Sequence, residues 1–251
     1  LTNTNSHLEF LTYMEENVKQ SPAWTIDELL AKAGGVENLY VVYVDIIKGF
    51  CDIGLLSSTR VREMVQPVKQ LTDSLLDRGL SAANLIFLHD DHPEQAVEFG
   101  SFAPHCIRGT AEAEIVDELR PYQGQLGTQT YYKNATNGLF GGDQEGTPFH
   151  ETVTKIFAQN PKSTFVVVGD CTDLCIYQNA MGIRLLANEQ NANVEVIVPI
   201  SHVRTYDLPI DVANEIGAFA HNADFFDLVF FYHMKANGIT LVTNLSEKKE
   251  V

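Results

Sequence analysis

The run STFVVVGDCTDLC, residues 163–175, packs a strand, a turn and a helix start into one short stretch, and its reading decides the fold. Phe165–Val168 are apolar without alternation, as in a strand covered on both faces. Gly169 ends the run, and Thr172 is placed to cap a helix that begins at once. The same grammar recurs along the chain. LYVVYVDI (39–46), NLIFLHD (84–90), TQTYYK (128–133), NVEVIVPI (193–200) and GITLVTN (238–244) also read as strands. Between them, residues 58–78 place Val61, Val65, Val68, Leu71 and Leu75 on one helical stripe, with a kink expected at Pro67. Residues 111–119, 147–159, 173–190 and 207–236 read as further helices, and 1–35 as a helical N-terminal extension to a domain spanning 36–251. Strands joined by helical crossovers predict an α/β fold with a mostly parallel sheet covered on two sides.

Composition narrows the class. With 251 residues, 45% of them hydrophobic and 20% charged, the chain can bury the core of one such domain. A net charge of −16 argues against nucleic acid or an anionic membrane as partner, since phosphate tracking needs clustered Lys and Arg. The four cysteines are too sparse for a disulfide scaffold and lack paired C-x-x-C spacing. A reducing, cytoplasmic setting is the expectation. The segment LTNTNSHLEFLTYMEENVKQ carries acids where a signal peptide has an apolar core, and no run of about 18 apolar residues occurs.

In parallel sheets ligands sit beyond the carboxyl ends of the strands. Those ends carry Asp45, Asp90 with His92, Lys133, and the segment from Gly169 to Cys175. With Thr172 as the cap, Cys175 is the third residue of its helix, where free amides and the helix dipole favour a thiolate. Catalysis and plain packing both suit a cysteine there. In FLHDDHPEQAVEFGSFAPHCIRGT (87–110), Asp90, His92 and His105 form a mixed oxygen and nitrogen donor set suited to a divalent ion with open positions. Asp91 and His89 are neighbouring alternatives; strand alternation favours the pair Asp90 and His92, which share a side.

Taken together, YVVYVDIIKGFC, HDDHP, FAPHCIRGT, YYKNATNGLFGG and VVVGDCTDLCI resemble, in order and spacing, the isochorismatase-like cysteine hydrolases, above all the nicotinamidases. RTYDLPIDVA (204–213) adds a likeness to the plant-type branch. The resemblance runs from about residue 39 to residue 243. It implies a three-layer α-β-α sandwich around a six-stranded, mostly parallel, Rossmann-like sheet.

It also implies roles. Asp45, Lys133 and Cys175 become a catalytic triad: Asp45 takes the thiol proton, and Lys133 holds the sulfur as thiolate. A cis bond between Asp170 and Cys171 would aim the amides of Cys171 and Cys175 at the oxyanion. Asp90, His92 and His105 would hold one divalent metal, zinc in the usual case, with Glu98 at the place where some members add a fourth ligand. Phe50 and Phe102 would wall the ring pocket, Phe102 standing where a tryptophan is common. The implied reaction deamidates nicotinamide to nicotinate and ammonia through a thioester, within NAD salvage. Related enzymes cleave other small amides, such as N-carbamoyl or ureido compounds, and commonly lack the metal site; a catalytically silent binding relative is the remaining alternative. Homo-oligomers are frequent among such proteins, and FFDLVFFYHM (225–234) reads equally as core or interface.

Overall fold

The computed structural model describes residues 4–248; the first three residues of the expected extension and the last three of the expected domain lie outside it. The chain opens with α1 (Thr4–Lys19), a two-residue strand β1 (Trp24–Thr25) and α2 (Ile26–Ala33). Next come β2 (Leu39–Val44), the short helices α3 (Lys48–Cys51) and α4 (Thr59–Arg62), and α5 (Val65–Asp77). Then follow β3 (Leu85–Asp90), α6 (Arg120–Gln123), β4 (Gln129–Lys133), α7 (Phe149–Gln159) and β5 (Thr164–Asp170). A π-helical turn, Thr172–Ile176, leads into α8 (Tyr177–Glu189). The chain continues through β6 (Glu195–Pro199), β7 (Val203–Arg204), α9 (Ile210–Ile216), α10 (Ala223–Ala236), β8 (Thr240–Val242) and β9 (Leu245–Ser246).

Strand residues divide cleanly between two cores. Val41, Tyr43, Val166 and Val168 join one apolar cluster, while Val42, Val44, Phe165 and Val167 join the other. That division explains the unbroken apolar runs: each side chain has a layer to enter, and burying a residue of this size contributes roughly 1.5–3 kcal/mol. The sheet is parallel in the order β4-β3-β2-β5-β6-β8. It has a seventh strand beyond the expected six. β6 pairs with β5 only as far as Val166, and β7 pairs with Gly169 and Asp170 further along. A two-residue strand leaves no periodicity to read.

Three helical expectations are corrected. The stripe over 58–78 is two helices, and Pro67 kinks neither: it is the third residue of α5, in the first turn, where no N–H is needed. Residues 111–119 form only a short 3-10 turn, Ala111–Ala113, because Ile115 bridges to Ile47 and the Glu114 carbonyl accepts from the Lys48 amide. Residues 207–236 are broken into α9 and α10. Gly217, at φ +71°, ends α9, and the Asn222 side chain caps α10 at Phe225.

The N-terminal segment is tied to the rest of the chain. β1 pairs with β9, and Ile26 and Leu29 enter the same core as Leu39. Lys235 of α10 donates to the Asn17 carbonyl on α1. Within 225–234, Phe231 and Met234 are core, Tyr232 meets Phe10 and Tyr13, and Phe225 stays half exposed.

Candidate active site

Strand register alone brings the chemistry together. Asp90 is paired with Lys133 across β3 and β4, and Val44 with Gly169 across β2 and β5, so Asp45 and Asp170 end neighbouring strands. The Asp45 carboxylate accepts the Asp90 amide at 2.8 Å, which fixes it over the sheet edge. Asp45 itself sits at φ +53°, a left-handed conformation that Asp tolerates better than most residues. Gly169 makes this approach possible: at φ +124°, a Cβ there would lie 2.0 Å from the Val44 carbonyl oxygen. Gly49 serves the next loop in the same way, where a Cβ would meet Cys106 Sγ at 2.5 Å.

Lys133 lies at the centre of the cluster and is buried. Its Nζ is 2.8 Å from Asp45 Oδ2, 2.5 Å from Asp90 Oδ1 and 3.6 Å from Cys175 Sγ. Burial opposes the ammonium, but Asp45 and Asp90 outweigh it and hold Lys133 well above the ordinary lysine value. Asp45 is pushed up to about 6 by burial and by Asp90, with Lys133 opposing. A carboxylate raised in this direction is a better base than a free one.

Cys175 departs from expectation in its helix start. Its helix start is the π-helical turn Thr172–Ile176, which Cys171 precedes without a side-chain cap; Thr172 is the first residue of that turn rather than its cap. Burial pushes the Cys175 thiol above its ordinary value, Lys133 offsets part of this, and Asp45 and Asp90 add to it. One ammonium serves two carboxylates here, which limits what it can offset at the sulfur.

The donor set on the next loop assembles as well. The Nε2 atoms of His92 and His105 lie 3.6 and 3.7 Å from Asp90 Oδ2. Their other ring nitrogens meet Asn134 Oδ1 and the Ala103 carbonyl, both at 2.8 Å. These outer partners leave the Nε2 lone pairs facing Asp90. His92 Nε2 is buried with no hydrogen-bond partner among the described residues, so the group has the unmet need and the donor chemistry of a divalent cation site. Glu98 is half-buried in the turn Val97–Gly100 and adds to the negative field at His92, but its carboxylate lies outside the ligand group. His89 points elsewhere, edge-on to Phe87 and Tyr132, and Asp91 pairs with Arg108.

Aromatic rings enclose the pair of histidines. Phe50 and Phe102 stand 5.5 and 6.3 Å from His105, between ring centroids. Phe99 is closer to the pair than Phe102, 5.3 Å from His92 and 5.6 Å from His105, and the sequence reading passed over it. Its place between HDDHP and FAPHC was the available signal. Asn134 and Asn179 were missed too. Asn134 follows Lys133 directly, while buried Asn179 binds the Cys175 carbonyl, the Thr136 carbonyl and the Gly138 amide, joining the loop after β4 to the turn that carries Cys175. The Asp170–Cys171 peptide is cis.

The sequence profile described as the Isochorismatase domain matches residues 40–196. The chain belongs to the isochorismatase family. Within this family it is 29% identical to Nicotinamidase 1 of Arabidopsis thaliana, over 94% of this chain and 97% of that protein. Solved family folds superpose on it. A nicotinamidase from Bacillus subtilis gives a TM-score of 0.60 at 18% identity, covering 82% of this chain and 99% of its own. A pyrazinamidase of Pyrococcus horikoshii in complex with zinc gives 0.58 at 19%, covering 82% and 98%. An N-carbamoylsarcosine amidase from Thermoplasma acidophilum gives 0.58 at 21%, covering 85% and 98%. The protein is thus a hydrolase of the isochorismatase family. No helix among the described residues is long and apolar enough to cross a membrane.

Proposed function

We propose that this isochorismatase-family protein hydrolyses the amide of nicotinamide to nicotinate and ammonia. One observation carries the reading: a buried cysteine, carboxylate and lysine adjoin an Asp-His-His group ringed by phenylalanines. Asp45 takes the Cys175 proton as sulfur attacks the amide carbon. The amides of Cys171 and Cys175 stabilise the resulting oxyanion, a contribution of about 10²–10³ in rate per donor. Asp45 returns its proton to the departing ammonia, then deprotonates the water that cleaves the thioester, so amide plus water gives acid plus ammonia. Lys133 keeps Asp45 ionised and offsets the charge that develops on sulfur.

Phe50, Phe99 and Phe102 supply flat apolar faces for the pyridine ring. Asp90, His92 and His105 would hold a divalent cation, zinc by preference, which when bound supplies a Lewis acid for the ring nitrogen. The Asp-His-His group is what favours nicotinamide over N-carbamoyl or ureido substrates.

The test is ammonia release from nicotinamide and a panel of small amides, with and without chelation. Metal-replete wild type should turn over nicotinamide, Cys171→Ala should retain activity, and Cys175→Ala should abolish it. Failure of wild type on nicotinamide refutes the substrate, and activity in Cys175→Ala refutes the mechanism. Metal content that Asp90→Ala leaves unchanged refutes the ligand set.

A further inference from the structure

Asp173 stands between Cys171 and Cys175, in the turn that carries the nucleophile, yet the proposed reaction leaves it unused. It is buried, and both its oxygens are taken by one distant segment. Oδ1 accepts from Thr205 Oγ1 at 2.6 Å, and Oδ2 lies 2.9 Å from His221 Nε2. The other ring nitrogen of His221 meets the Tyr206 carbonyl at 2.8 Å. Carbonyl and carboxylate both accept, so a ring nitrogen that carries hydrogen finds an acceptor on either side. The imidazole is also held between two rings, Tyr206 at 4.0 Å and 19° and Phe226 at 4.2 Å and 10°. Its backbone exchanges two hydrogen bonds with Leu208, at 2.7 and 2.9 Å. His221 therefore has little freedom to move.

The turn it grips is π-helical, a rare form frequent at functional sites, and Cys171 gives it no side-chain cap. The amides of Leu174 and Ile176 both donate to the Cys171 carbonyl, at 3.0 and 3.1 Å, so the hold on Asp173 is what ties the side of the turn to the chain after β7. We propose that His221 is a positioning residue: through Asp173, together with Thr205, it fixes the rotation of the nucleophile turn so that the amides of Cys171 and Cys175 stay aimed at the substrate oxyanion. Thr205 and His221 both lie beyond residue 196, where the match to the family domain ends, so the clamp comes from a part of the chain outside that match. The proposal rests on the reading of Cys175 as the nucleophile of an amide hydrolase.

The test compares His221→Leu, His221→Gln and Thr205→Val by nicotinamide turnover and by alkylation of Cys175 with iodoacetamide, a displacement that forms no oxyanion. His221→Leu should lower kcat by about 10²-fold, with KM and the alkylation rate within about twofold of wild type. His221→Gln, whose carboxamide N–H can replace the Nε2 donor, should recover most of the loss, and Thr205→Val should fall in the same direction by less. Wild-type kcat in His221→Leu overturns the proposal; so does a parallel fall of kcat and alkylation, or a Gln variant as impaired as Leu. If His221→Leu does not fold, Thr205→Val decides: an unchanged kcat overturns the proposal, and a lowered kcat with normal alkylation supports it. A wild type that releases ammonia from no amide overturns the functional reading and this inference with it, whereas an active wild type matched by both variants overturns this inference alone.

Discussion

Replacing Lys133 by Met removes one positive charge from a buried site and keeps most of the side-chain length. The ammonium is 2.8 Å from Asp45 and 2.5 Å from Asp90, in a pocket where all three groups are buried. Without it, two carboxylates face each other with no cation between them. Removing one partner from a buried ion pair typically costs ~3–5 kcal/mol. For a domain of this size each kcal/mol moves the melting point by ~2–4 °C, so the expected drop is roughly 6–20 °C. Thermal unfolding should be followed in the presence of a chelator, so that no bound cation substitutes for the lost ammonium. The double variant Asp45→Asn with Lys133→Met removes one of the stranded charges and should regain part of the loss. A Lys133→Met protein melting within about 2 °C of wild type refutes the argument, because packing without charge is then enough to hold the site. A double variant less stable than Lys133→Met refutes it as well.

Further outcomes follow from other parts of the molecule. Gly169→Ala puts a Cβ 2.0 Å from the Val44 carbonyl, where ordinary contact starts at 3.4 Å, so the strand carrying Asp45 must shift. A displacement of ~1 Å at a catalytic group costs about 10²-fold, and amide turnover within about threefold of wild type counts against that geometry. His202 is pushed down to about 4 by burial and by Arg204, from about 6.5 in the unfolded chain. The unfolded state therefore binds more protons between these values, and stability should be full above pH ~6.5 and fall by ~3 kcal/mol as pH drops through ~4. Denaturant unfolding across that window should show a shallower slope for His202→Asn; equal slopes sink the assignment. Asn134→Ala removes the group that orients His92. It should weaken divalent-metal affinity by ~10–100-fold in competition with a chromogenic chelator, and unchanged affinity rules out the orienting role.

The strand ends made this site legible in the sequence. Asp45, Asp90, Lys133 and the Gly169–Cys175 turn each close a strand, and in a parallel sheet all such ends share one edge, so one-dimensional order becomes three-dimensional proximity without further information. His105, Phe99 and Phe102 lie instead on the long loop after β3, which no periodicity describes, and Phe50 on the short helix α3. Donor chemistry picked out His105, motif resemblance supplied Phe50 and Phe102, and Phe99 belongs to no motif.

The misread helices show the complementary limit. AEAEIVDEL (111–119) has helix-forming composition, yet the Lys48 amide and the Ile47 backbone claim Glu114 and Ile115, and a tertiary hydrogen bond outweighs propensities worth tenths of a kcal/mol per residue. The error over 207–236 was avoidable, since Pro209, Gly217 and Asn222 are start and stop signals that a uniform apolar pattern hid. The same break places His221 between two helices rather than inside one. Only there can its backbone pair with Leu208 while its ring reaches Asp173, so the residue proposed to steady the nucleophile turn depends on the feature that periodicity concealed.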